Sequence, residues 1–271
     1  MNFRELVLED MALFEPYRNI CSDYVFSYLY MYKDLYKLTI AIEEESIIIR
    51  SDIEPVNFYM PLGNTDKGIK AVLAYCKEND IKPLFTKLTE ESLESFKLNG
   101  LQIEEDRDSF DYIFRNTDFL EYNGKEFRKQ RNNLFSYLKS FTPSFDENIK
   151  AYIEECKAFT QNHHSAPDIL EPTLLILDQV ERFGLKGGVV LSEGEVAAFC
   201  LYEELSDDHI QSHVELTGNS HRGIHAYLIN EMAKRIGDKY INKEDDMGLP
   251  GLRRFKETFN PCEMLKKYKA Y

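Results

Sequence analysis

The chain has 271 residues, 43% of them hydrophobic, with 13 glycines and 9 prolines scattered along it, which fits one large folded domain or two ordinary ones and argues against a disordered chain. A formal net charge of -14 weighs against a surface devoted to nucleic acid, DNA included, because polyanion binding rests on many lysine and arginine contacts to phosphate, and it leaves room for a local basic site. No apolar run reaches the about 18 residues of a spanning helix and the N-terminus lacks a signal-peptide pattern, so a cytoplasmic protein without an integral membrane segment is expected.

A short strand is predicted near Glu5 to Leu8, then helices over Met11 to Arg18 and Tyr24 to Tyr36, the second with a broad aromatic face. Strands follow at Leu38 to Ile42, Ser46 to Arg50 and Val56 to Met60, turning at Glu43 to Glu45 and Asp52 to Pro55. Asn64 to Asp66 can cap a helix over Lys67 to Lys77. A strand at Pro83 to Lys87, a helix opening on the capping-box spacing Thr89 to Ser92, and a strand pair at Leu101 to Ile103 and Phe110 to Arg115 complete this half.

The second half repeats that order. A basic helix over Gly124 to Ser140 carries Lys125, Arg128, Lys129, Arg131 and Lys139 against Glu126 alone, and helices follow over Asn148 to Thr160 and Ile169 to Phe183. Strands at Leu185 to Leu191, Val196 to Leu205 and Ile210 to Leu216 are joined by good hairpin turns. Next come a helix over Gly223 to Ile236, a strand at Lys239 to Asn242, a helix at Arg253 to Phe259 and a strand from Glu263. Five dispersed cysteines without a C-x-x-C pair point to neither zinc nor a disulfide framework. His163 and His164 are adjacent and lack an acidic partner at useful spacing, so no metal site is expected there. No P-loop, G-x-G-x-x-G or G-x-S-x-G sequence occurs.

This order resembles the GNAT acyltransferase fold, and its two copies resemble the tandem arrangement of the phosphatidylglycerol lysyltransferase C-terminal domain family. The most specific residues are the Arg-Asn pair of Phe127 to Asn133, His213 and Glu215 before the long helix, Gly223 to Asn230 at its start, and Asp246 to Lys256. The resemblance implies an α/β (α+β mixed sheet) architecture of two GNAT-like domains, residues 1–119 and 120–271, each a mostly antiparallel sheet flanked by helices, with the active cleft in the second.

The reaction it implies is transfer of an aminoacyl or other acyl group to an amine or hydroxyl on a small-molecule or peptide acceptor, from an aminoacyl-tRNA or an acyl-CoA. The alternatives are a non-catalytic GNAT-like metabolite-binding protein and an acetyl-CoA-dependent N-acetyltransferase. The CoA fingerprint [QR]-x-x-G-x-[GA], centred on Gly223, is broken by Ser220 and His225. Phosphate of the donor is expected at the helix start with Gly223 and His225, and at Arg128, Arg131, Asn132, Arg253, Arg254 and Lys256. Glu215, with a carboxyl pKa raised by burial, is the expected base; His213, two residues earlier and so on the same side of the strand, is the other candidate. Asp245 and Asp246 are candidates for holding an ammonium group, with helix capping as the competing role for Asp246.

Overall fold

The protein is described by a computed structural model over residues 1–218 and 223–271. Its residues form two compact units, each made of discontinuous chain. One comprises Met1–Asp111, Asp245–Gly248 and Leu265–Tyr271; the other comprises Tyr112–Glu244 and Leu249–Met264.

In the first unit the strands lie in the order Arg4–Glu5, Leu38–Glu43, Ser46–Ser51, Asn57–Tyr59, Phe85–Leu88, Tyr268–Ala270 and Ile103–Glu105, and Leu62–Gly63 also pairs with Ser46–Ser51. The Leu38–Glu43 hairpin turns through Glu44 and Glu45 at φ 50° and 65°, the left-handed pair that matches the twist of the flanking strands. Ile47, Ile48 and Ile49 are all buried, so this strand is covered on both faces. Helix Thr65–Glu78 starts where the Asn64 side chain accepts a hydrogen bond from the Lys67 amide, and it buries Ile69, Val72 and Cys76 along one stripe. The aromatic helix is shorter than expected, Phe26–Tyr32, because Val25 is extended at its start. Ile103–Glu105 and Asp111–Arg115 do not pair with each other: the first joins Tyr268–Ala270, the second joins Tyr240–Asn242 in the other sheet.

The second sheet runs Glu263–Leu265, Asp111–Arg115, Tyr240–Asn242, His209–Thr217, Glu195–Glu204, Lys186–Ser192 and Ser144–Asp146. Helix Ile224–Ile236 lays Ile224, Leu228, Ile229, Met232, Ala233 and Ile236 into its core, with Tyr112, Phe114, Phe119, Tyr137 and Cys200. In each unit the last strand of the meander is followed by a helix and then by a parallel partner strand: Asn57–Tyr59 with Phe85–Leu88, and His209–Thr217 with Tyr240–Asn242. Both sheets are therefore mixed, and the repeated element order is a repeated connection.

Candidate active site

The strand His209–Thr217 is interrupted by a bulge. Leu201 of the neighbouring strand pairs with Val214 and Tyr202 pairs with Ser212, so His213 is the extra residue. Alternation is reset at that point. Ser212 Oγ donates to Glu215 Oε1 at 2.7 Å, and both residues lie opposite Tyr202 and Cys200 of the core under helix Ile224–Ile236. Gln211 and His213 instead both meet Glu244 Oε1, at 2.9 and 2.8 Å. His213 and Glu215 thus serve different faces of the strand, contrary to the simple alternation expected of residues two apart.

Glu215 is ionised, which reverses the expected raised pKa. Burial favours the neutral acid, but the Lys243 ammonium, 2.6 Å from Oε1, and the His225 ring, with Nε2 3.1 Å from Oε2, outweigh it and hold the carboxyl below the usual range. Lys243 is 7% exposed and lies over the Phe119 ring at 4.9 Å. Because the Glu215 carboxylate can only accept, Nε2 of His225 is the nitrogen that carries hydrogen, and in the neutral ring Nδ1 is the acceptor. The pair therefore has the arrangement of an oriented base.

His213 is buried between two carboxylates, Glu203 at 2.8 Å from Nε2 and Glu244 at 2.8 Å from Nδ1. Burial works against its charge, yet the two hydrogen bonds prevail and lift its pKa to about 9. Burial raises the pKa of Glu244 against the opposing pull of His213. An imidazolium donating through both nitrogens has no lone pair for a substrate proton, so this cluster is a buried charged tie.

A cavity of about 320 Å³ opens beside His225, lined also by Gly223, Lys129, Gln130, Arg254 and Phe255 among others. Gly223 has φ 92° at the start of helix Ile224–Ile236, and a Cβ there would stand 2.2 Å from the Asn133 carbonyl oxygen, so only glycine lets the helix Arg128–Ser140 come this close. Phe255 and Phe259 pack edge-on or tilted to the His225 ring at 5.0 and 5.4 Å. Helix Pro250–Glu257, opened by Pro250, supplies Arg254 and Phe255.

Of the other expected phosphate partners, Arg128 and Asn132 line an adjoining hollow with Lys125 and Lys129. Arg131 is committed to the backbone, donating to the Tyr122 and Gly124 carbonyl oxygens. Lys256 is likewise committed: it donates to the Lys243 carbonyl oxygen at 2.5 Å and lies over the Tyr112 ring. Arg253 is partly buried on the same helix as Arg254 and does not line the cavity beside His225.

Asp245 and Asp246 belong to the first unit. There Asp245 pairs with Lys87 at 3.0 Å, and Lys87 in turn with Asp23 at 3.0 Å. Asp246 pairs with Arg107 at 3.1 Å and accepts the Gly248 amide at 3.0 Å, closing the turn before the helix. Both carboxylates are thus held by protein cations. Ser220, the first position of the broken fingerprint, lies outside the described residues. Sequence reading missed Lys243, Glu203 and Gln130; the available signal for Lys243 was its place directly after the strand that runs parallel to His209–Thr217.

Residues 14–271 match the family described as phosphatidylglycerol lysyltransferase, C-terminal. Among solved structures, a conserved protein of unknown function from Bacteroides thetaiotaomicron has a TM-score of 0.85 at 22% identity, covering 100% of this chain and 99% of that one. L-PGS from Bacillus licheniformis has a TM-score of 0.61 at 15% identity, covering 86% of this chain and 83% of that one. FemX has a TM-score of 0.56 at 10% identity, covering 100% and 97%. No curated protein matches the sequence. Among the described residues no helix is long and apolar enough to cross a membrane.

Proposed function

The chain belongs to the phosphatidylglycerol lysyltransferase C-terminal family, and from that premise we propose that it is an aminoacyltransferase whose base is His225, oriented by Glu215. The carrying observation is the Glu215–His225 hydrogen bond beside a cavity that the same imidazole lines. The acceptor is an amine or hydroxyl on a small molecule or peptide, and the donor is the aminoacyl ester of a tRNA. Lys129 and Arg254 in the cavity, with Arg128 in the adjoining hollow, supply partners for donor phosphate. The His225 ring occupies the fingerprint position that coenzyme A binding reserves for a small residue, which favours the tRNA ester over acyl-CoA.

His225 Nδ1 takes the proton of the acceptor as its nitrogen or oxygen bonds to the ester carbonyl carbon. The tetrahedral oxyanion then collapses, the ester C–O bond breaks, and the imidazolium returns the proton to the departing ribose oxygen. Glu215 stays ionised throughout. It fixes the ring and faces the transient positive charge, while Lys243 keeps that carboxylate in place.

The test is transfer of labelled amino acids from charged tRNA to a panel of amines and hydroxyl compounds. His225→Ala should lower kcat by about 10²- to 10⁴-fold. Equal turnover by this variant, or no transfer from any charged tRNA by the natural protein, overturns the proposal.

A further inference from the structure

Helix Arg128–Ser140 turns Gln130 and Tyr137 inward. To solvent it presents Arg128, Asn132, Phe135 and Lys139, whose spacing places them along one face. Phe135 is 62% exposed, and Leu138, on the same side of the helix, is 46% exposed. These two apolar side chains therefore stand on the outer ridge of the helix, with a cation towards each end. The helix itself holds no aspartate or glutamate. Residues 124–140 carry Lys125, Arg128, Lys129, Arg131 and Lys139 against Glu126, in a protein whose formal charge is -14. An aromatic ring on a helix apex adds nothing to the core, and a basic surround for it is the reverse of the protein's general charge.

A second copy of this chain is a poor occupant for the ridge. Paired parallel, Arg128 would face Arg128, and paired antiparallel it would face Lys139, cation against cation either way. A nucleic acid backbone would use the cations and leave Phe135 and Leu138 against phosphate. An anionic bilayer surface uses both kinds of side chain: apolar groups enter the boundary between headgroups and acyl chains, and cations meet the lipid phosphates beside them. A convex ridge suits such a surface, because a fluid bilayer needs no complementary groove. The acidic remainder of the protein does not forbid the approach, since at physiological salt charges more than about 8 Å from the contact are largely screened.

We propose that the outer ridge of helix Arg128–Ser140 docks on an anionic membrane surface, with Phe135 and Leu138 entering the headgroup boundary and Arg128 and Lys139 meeting lipid phosphate. The contact is peripheral and reversible, because two inserted side chains and a few cations hold a protein no more firmly than a single acyl chain does. It goes beyond the transfer reaction and leaves that reaction's donor and acceptor as they stand.

Sedimentation of the whole chain with vesicles of phosphatidylcholine alone, or mixed with phosphatidylserine or with phosphatidylglycerol, tests it. Both anionic mixtures should hold the protein at least about tenfold more tightly than phosphatidylcholine, and raised salt should release it. Lys139→Gln should weaken retention about fivefold, the worth of one cation at a bilayer surface, and Phe135→Ser by about as much or more. Neither residue lines the cavity beside His225, so transfer to a soluble acceptor should be unaffected, and melting curves establish that both variants are folded. The chain contains no tryptophan, so Phe135→Trp puts a single reporter on the ridge, and its emission should shift to shorter wavelength on anionic vesicles. Retention without that shift means that another face of the protein docks, and it overturns the proposal. Retention undiminished by Phe135→Ser, equal retention on all three lipids, or retention on none overturns it as well. Binding to phosphatidylglycerol but not to phosphatidylserine would mark recognition of one headgroup in place of docking by charge, and has the same consequence. Absence of transfer from charged tRNA bears on the reaction alone, so the two proposals fail separately.

Discussion

Replacing Lys243 with methionine leaves the Glu215 carboxylate without its nearest counter-charge. The ammonium lies 2.6 Å from Oε1, and the two side chains are only 7% and 14% exposed, so solvent screening does little to soften the loss. Removing one partner of a buried ion pair costs about 3–5 kcal/mol, and at this chain length that should lower the melting temperature by roughly 10 °C. The deficit should depend on pH in a particular direction. In the natural protein the folded Glu215 carboxyl lies below its unfolded value, so its contribution is complete above about pH 4.3 and is lost as pH falls through the depressed folded value. In the variant burial acts with less opposition, the carboxyl takes up a proton at higher pH, and the deficit is greatest near neutrality and shrinks in acid. Adding Glu215→Gln should recover much of the lost stability. Calorimetric melting of the two single variants and the double variant from pH 4 to 8 measures the coupling. A cost below about 1 kcal/mol, the range of an exposed pair, with no coupling to Glu215, would refute the reasoning.

His213, with its pKa lifted to about 9, should stabilise the fold fully below about pH 6.5, the unfolded value, and progressively less as pH rises through 9; a melting series across this interval should slope downward, and His213→Gln should flatten it. Gly223→Ala puts a Cβ 2.2 Å from the Asn133 carbonyl oxygen at φ 92°, so it should destabilise by more than about 1 kcal/mol and weaken donor binding, readable by denaturant titration and by calorimetry.

The meander strands and the helices that follow them were legible because alternation and capping are local. Asn64 caps its helix, and the three strands that begin at Lys186, Glu195 and His209 start within one residue of expectation. What failed was anything set by a partner distant along the chain. Nothing near His213 announces a bulge, so its separation from Glu215 could not be read. The pKa of Glu215 turned on Lys243, 28 residues away, which reaches it only through a parallel strand pairing. Asp245 and Asp246 looked like ligand-binding acids because their partners, Lys87 and Arg107, lie more than a hundred residues earlier. Ile103–Glu105 and Asp111–Arg115 were read as a pair because they are neighbours in sequence, whereas the chain passes from one sheet to the other between them. His225 was expected beside the donor phosphate, and the role of base proposed for it rests on a carboxylate partner ten residues away that alternation along the strand could not announce.

The placement of Tyr268–Ala270 between Phe85–Leu88 and Ile103–Glu105 has a bearing on synthesis. Those flanking strands leave the ribosome roughly 160 to 180 residues before the strand that joins them, and Lys267, whose ammonium lies between buried Asp23 and Asp111, arrives equally late. Until then the nascent first unit carries two open strand edges and lacks the ammonium that bridges Asp23 and Asp111. Such edges invite pairing with the wrong chain. The unit begun first is therefore the one finished last, and its vulnerable period spans the making of nearly the whole second unit.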